Sequence, residues 1–129
     1  EIVVLTGHAT PSEVSAHLLA ADIAVLPFRD GVSLRRGSLL AVLEHGLPVV
    51  TTAPTSPEPL LDDGENVLLV REPSAGMFAD SIESLWREPS RRHRLADGAR
   101  GLAKKFDWDI IASQHAEMYA CLSRGIGSR

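Results

Sequence analysis

Residues Pro27–Val50 read PFRDGVSLRRGSLLAVLEHGLPVV, and the fold turns on this stretch. Pro27 closes an apolar run, Ile23–Leu26, that reads as a strand. A polar loop, Phe28–Val32, leads into Leu34-Arg35-Arg36-Gly37-Ser38. Leu39, Val42 and Leu43 then recur at helical spacing until Gly46, a residue suited to end a helix. Pro48–Thr51 is a second strand, with proline tolerated at its first position. Strand, loop, helix and strand make a parallel β-α-β unit, whose ligands bind at the carboxyl ends of the strands. At that end Arg35, Arg36, Gly37 and Ser38 stand where the loop enters the helix. A helix head offers unpaired N–H groups and a partial positive charge. Two arginines strengthen that field, Gly37 admits a close backbone approach, and Ser38 adds a hydroxyl. The segment reads as an anion site; the bland alternative is that both arginines only solvate the loop.

Working outward, Ile2–Leu5 is a short β-branched run ended by Gly7 and reads as a buried strand. Thr10-Pro11-Ser12-Glu13 has the form of a capping box, with proline at the first helical position. It predicts a helix over Pro11–Ala21 with an apolar side of Val14, His17, Leu18 and Ala21. After the stiff, proline-rich loop 53–59 come a turn, Asp62-Asp63-Gly64, and a fourth strand, Asn66–Val70. Helices are expected over Ser74–Trp86, Pro89–Lys105 and Asp107–Leu122, the last with Asp107 as its N-cap. Ser123–Arg129 holds two glycines and is expected to fray. The strands are apolar along their length, as when helices cover both faces. The fold class is α/β: a Rossmann-like parallel sheet with flanking helices.

Charge and composition remove several functions. Thirteen basic against seventeen acidic residues give a net charge of −4, which argues against a nucleic-acid partner. No apolar run approaches the roughly 18–20 residues of a membrane span. One cysteine, Cys121, fits a reducing, cytoplasmic compartment. His45, His93 and His115 share no ligand spacing, so no metal is expected. Ser33 and Ser38 lack the context of a serine hydrolase. Trp86 and Trp108 read as core anchors, His17 as core-edge, and Arg91-Arg92-His93-Arg94 as a solvated helix face.

The order of motifs resembles a known family. AADIAVLPF, followed eleven residues after Pro27 by SLLAVLEHGLPVVTT, resembles the donor-binding half of retaining glycosyltransferases of family 4, which have the GT-B fold. Ala21-Asp22, Pro27, Gly46, Pro48, Val49 and Val50 fall on that family's "ADxxxxPS" and "EAMACGxPVV" segments. Asp62-Asp63-Gly64-Glu65-Asn66 is similar to its "xDGxNGxLV", and Phe106-Asp107-Trp108 with Tyr119 to its closing "FSWxxxAxxxxxxY". The resemblance implies that Ser33, Leu34, Arg35, Arg36, Gly37 and Ser38 face the donor's diphosphate and sugar. It also implies that Gly7, His8, Thr10 and Ala41 lie by the nucleobase and ribose; a solvated loop histidine is the other reading of His8.

Two departures bear on activity. Aligned on Gly46 and Pro48, the family's two glutamates fall at Ser33 and Ala41. Glu44 lies three residues beyond Ala41, about 300° round the helix, and does not replace the second. Arg35 and Arg36 occupy the family's "FG" pair, which leaves two readings open: donor affinity has moved from ribose bonding to charge on the diphosphate, or the donor is atypical or activity reduced.

The expectation is a nucleotide-sugar-binding C-terminal domain over residues 1–129, transferring sugar with retention as part of a longer enzyme and inactive alone. No metal or other cofactor is implied beyond the donor substrate. The acceptor, a sugar or lipid, and any peripheral membrane contact would come through an upstream domain. The alternatives are a non-catalytic GT-B-like binding domain and a GT-B epimerase or phosphorylase. In the family two further strands precede the one at Ile2–Leu5. The four strands here would then be 3 to 6 of a 3-2-1-4-5-6 order. Either Ile2–Leu5 pairs directly with Ile23–Leu26, or two copies associate through the incomplete edge as a homodimer.

Overall fold

The computed structural model describes residues 3–126. Three parallel strands, β1 (Ala24–Leu26), β2 (Val49–Thr52) and β3 (Leu68–Val70), lie in the order β1-β2-β3. The register sets Ala24 opposite Val49 and Val50 opposite Leu68. Helix α1 (Pro11–Ala20) precedes the sheet and α2 (Gly37–Glu44) crosses from β1 to β2. Helices α3 (Ala75–Arg87), α4 (Pro89–Ala103) and α5 (Trp108–Ile126) follow β3, with a 3-10 turn, Lys104–Phe106, before α5.

β2 is the centre of the molecule and is buried along its whole length. Successive side chains of a strand point to opposite faces, and the core divides accordingly. Val49 packs with Leu39, Val42 and Leu43 of α2 and with Ala99 and Leu102 of α4. Val50 packs with Phe78 and Leu85 of α3 and Leu95 of α4 on the other side. β1, at an edge of the sheet, is only half-buried. Gly98 lets α4 run against the Glu65–Asn66 backbone, where a methyl group would overlap the Glu65 carbonyl.

Local signals set the element ends. Thr10 accepts from the Glu13 N–H while its own N–H donates to Glu13 Oε2 at 2.8 Å, closing the expected capping box. These Thr10 bonds hold the Glu13 carboxyl below its ordinary pKa. α2 ends in a Schellman arrangement: Leu47 N–H donates to the Val42 carbonyl and Gly46 N–H to that of Leu43, with Gly46 at φ +66°. Asp107 Oδ1 receives the Asp109 N–H at the head of α5. Asp62 builds the turn before β3 through its backbone carbonyl, and Asp63 accepts from the Leu69 N–H.

Several expectations fail. Residues 3–5 form no strand and are exposed, Leu5 to 92%; Ile2 lies outside the described residues. A strand needs a neighbour for its N–H and C=O groups, and β1 pairs with β2 alone, so the expected pairing of Ile2–Leu5 with Ile23–Leu26 does not form. No residue of α1 is buried, and His17 is exposed rather than core-edge. Trp86 and Trp108 are exposed, not core anchors: helical spacing names a face but not whether another element covers it. Ser123–Arg129 was expected to fray, but α5 continues to Ile126; residues 127–129 lie outside the described residues. The basic run at 91–94 is not simply solvated. Arg92 donates to the Leu85 and Trp86 carbonyls at 2.6 Å each, satisfying the C-terminal end of α3, and Arg94 donates to the Gly64 carbonyl.

Candidate functional site

The carboxyl ends of β1 and β2 open on a cavity of about 520 Å³. Its walls are residues 30–36, residues 55–58 of the loop after β2, and Phe106. The loop 28–36 is tightly tied. Gly31, at φ +83°, lies so close to the next loop that a Cβ would sit 2.8 Å from the Ala53 carbonyl and 2.9 Å from the Thr55 nitrogen. Val32 N–H donates to the Thr52 carbonyl, and Thr55 Oγ1 donates to that of Asp30. Ser33 closes a turn: its carbonyl accepts from Arg36 N–H and its Oγ from Arg35 N–H.

The two arginines differ. Arg36 pairs with Asp30 at 2.5 Å and lies over the Phe28 ring, 4.2 Å from its centre. This bond to Arg36 holds the Asp30 carboxyl below the usual carboxylate range. Arg36 Nε is buried and has no hydrogen-bond partner. Arg36 is therefore largely committed to the loop. Arg35 is exposed, lines the cavity and makes no ion pair among the described residues. Behind both, α2 begins with Arg36 at its N-cap and no side-chain hydrogen bond there. The N–H groups of its first turn are thus left to solvent or a ligand. Gly37 faces open space.

Of the residues singled out from sequence, Ser33, Leu34, Arg35 and Arg36 line this cavity. Leu34 is half-buried and packs against the core cluster that includes Leu39, Val42 and Leu43 of α2. Gly37 and Ser38 stand in the first turn of α2 without lining the cavity. Gly7, His8, Thr10 and Ala41 do not line it. Thr10 is engaged in the capping box, and the Ala41 carbonyl accepts from His45 Nδ1 at 2.7 Å. The other nitrogen of His45 accepts from Ser15 Oγ, tying α1 to the end of α2. Asp30, Thr55 and Phe106 belong to the site and were not foreseen. For Asp30 an acid six residues before an arginine was the available signal.

The family model described as "Glycosyl transferases group 1" matches residues 1–88, about two thirds of the chain. The chain belongs to the group 1 glycosyl transferases. As a member of that group it is 33% identical over 113 residues to the D-inositol 3-phosphate glycosyltransferase of Corynebacterium aurimucosum. That match covers 85% of this chain and 26% of the relative, so the chain spans about a quarter of the length of such curated relatives. Two solved structures share the fold of this group 1 domain. Sucrose-phosphate synthase from Thermosynechococcus elongatus superposes with a TM-score of 0.75 at 21% identity, over 93% of this chain and 30% of that one. Anabaena HepE, solved in complex with UDP, superposes with a TM-score of 0.66 at 19% identity, over 81% and 29%. The Rossmann-like α/β architecture and the glycosyl transferase family are thus both in place. Among the described residues no helix is long and apolar enough to cross a membrane.

Proposed function

We propose that this domain binds the nucleotide-diphosphate sugar donor of a retaining glycosyl transfer, with the diphosphate in the cavity before α2. The observation that carries the reading is that Arg35 and Arg36, the N-cap residue of α2 with no side-chain cap bond, together line a cavity at the carboxyl ends of β1 and β2. As the sugar's bond to the diphosphate breaks, negative charge grows on the leaving phosphate. N–H dipoles fixed at the head of α2 and the guanidinium of Arg35 on the cavity wall stabilise that charge. Asp30 and Phe28 hold Arg36 and with it the turn that presents Arg35. The reading calls on no metal, because amides and arginine supply the positive field. The acceptor, a sugar or lipid, would be held by another part of a longer protein, and the single cysteine with a sugar-nucleotide substrate supports a cytoplasmic location. That HepE was solved with UDP supports a nucleoside diphosphate as the ligand class.

A second reading, donor binding without transfer, draws on Ser33 and Ala41, which stand where glutamates were expected. Turnover by the longer protein separates the two.

Calorimetry with UDP, GDP and ADP tests the proposal. A charge-assisted hydrogen bond contributes about 1.5–3 kcal/mol, so Arg35→Ala should weaken the best binder by roughly 10- to 150-fold. Arg36→Ala should act through the loop, lowering affinity and thermal stability together. Unchanged affinity in the double variant would overturn the assignment.

A further inference from the structure

The opposite face of the sheet carries a second cavity, also of about 520 Å³, which the donor reading leaves unused. Thr52 lines it, on the same face of β2 as Val50 and therefore toward α3. Its neighbour Thr51 donates its hydroxyl to the Leu26 carbonyl at 2.8 Å, as a buried hydroxyl should. Thr52 is 6% exposed, and its Oγ1 has no hydrogen-bond partner. A valine there would have the same shape without the orphaned hydroxyl. The head of α3, a 13-residue helix, lines the same cavity through Ser74 and Ala75. Ser74 caps it by accepting from Met77 N–H, and the Ser74 carbonyl accepts from Phe78 N–H. The N–H groups of Ala75 and Gly76, in the first turn, remain for an acceptor. Arg29 also lines it, exposed and without an ion pair among the described residues. The walls between are apolar, with Pro27, Phe28 and Phe78 the main surfaces.

We infer that this cavity is a second ligand site, separate from the donor cavity, for a small amphiphilic anion: a phosphate or carboxylate carried on an apolar ring. The charge sits between Arg29 and the first amides of α3, where the helix field favours an anion. The ring lies on Phe28 and Phe78, and the ligand's entry uncovers the buried Thr52 hydroxyl, which then donates to its polar atom.

Phenyl phosphate is the probe, titrated into the isotopically labelled 129-residue chain up to about 10 mM, well above a millimolar Kd. Inorganic phosphate and UDP are run in parallel. Phenyl phosphate should move the amides of Thr52, Ala75, Gly76 and Phe78, and inorganic phosphate should move them far less. Thr52→Val should weaken phenyl phosphate by about two- to tenfold, the loss of one hydrogen bond, while leaving the melting temperature equal or higher. Arg29→Gln, at the surface, should weaken it without affecting stability. Three results would overturn the inference: no movement at Thr52 and Ala75, equal shifts with inorganic phosphate, or a lower melting temperature in Thr52→Val, which would give that hydroxyl a structural partner. A UDP response at residues 33–36 alongside a silent second cavity would reject this site and leave the donor reading standing.

Discussion

Two glycines share almost the same φ, and substituting each by alanine isolates the packing that shapes the cavity before α2. Gly31 has φ +83° and Gly64 φ +84°. An L residue in that left-handed region costs about 1–2 kcal/mol, a cost common to Gly31→Ala and Gly64→Ala. A methyl group on Gly64 meets nothing within 4 Å, whereas one on Gly31 falls 2.8 and 2.9 Å from backbone atoms of Ala53 and Thr55. Backbone yields less readily than a flexible side chain, and overpacking of this kind costs about 1–3 kcal/mol more. Gly31→Ala should therefore lose roughly 2–5 kcal/mol in all. Urea denaturation followed by circular dichroism, with unchanged slope, measures both values. In thermal melts the gap between the variants should be roughly 3–5 °C per kcal/mol at this chain length. Because the Gly31 methyl pushes residues 30–32 from residues 53–55, the same variant should also bind nucleoside diphosphate more weakly than Gly64→Ala. Equal losses in the two variants, within about 0.5 kcal/mol, would mean that the loops do not pack as described.

Other outcomes follow from the same site. Arg36 lowers the Asp30 carboxyl pKa, so the pair's contribution is complete above the unfolded-state pKa. It should be unchanged between pH 5 and 8 and be lost only as pH falls below about 4, through the lowered folded value. A carboxyl NMR titration should show the Asp30 midpoint rising in Arg36→Ala; an unmoved midpoint would remove Arg36 as the cause. With alanine at position 41, ribo- and 2′-deoxyribonucleoside diphosphates should bind alike, and Ala41→Glu should favour the ribo form by roughly 10- to 150-fold, the value of one charged hydrogen bond. A strong ribo preference in the unaltered protein would assign the ribose to another residue.

The legible parts of this fold were those written within a few residues. The capping box at Thr10 and Glu13, the helix stop at Gly46 and the cap at Asp107 each involve partners at most five residues apart, and each forms as read. The β1–α2–β2 unit was legible because apolar runs and helical spacing there agree with the turn residues between them. What escaped depends on distant partners. Val3, Val4 and Leu5 have strand composition, yet without an adjacent strand they stay exposed. Trp86 and Trp108 have core character, yet both stay largely exposed. In the site, the sequence showed two adjacent arginines with one role; only the folded loop, with Asp30 and Phe28 gripping Arg36, separates them. Arg92 likewise looks like a surface cation until the end of α3 is placed beside it.

The central claim is that a nucleoside diphosphate sits before α2, and backbone-amide NMR during titration with UDP or GDP tests it most directly. The account predicts the largest shifts at Ser33–Leu39, a response at Thr55 across the cavity, and loss of these shifts when Arg35 and Arg36 are both alanine. Shifts confined to the amino-terminal edge of the strands, around Asp22 and Pro48, or no binding at millimolar nucleotide, would contradict it.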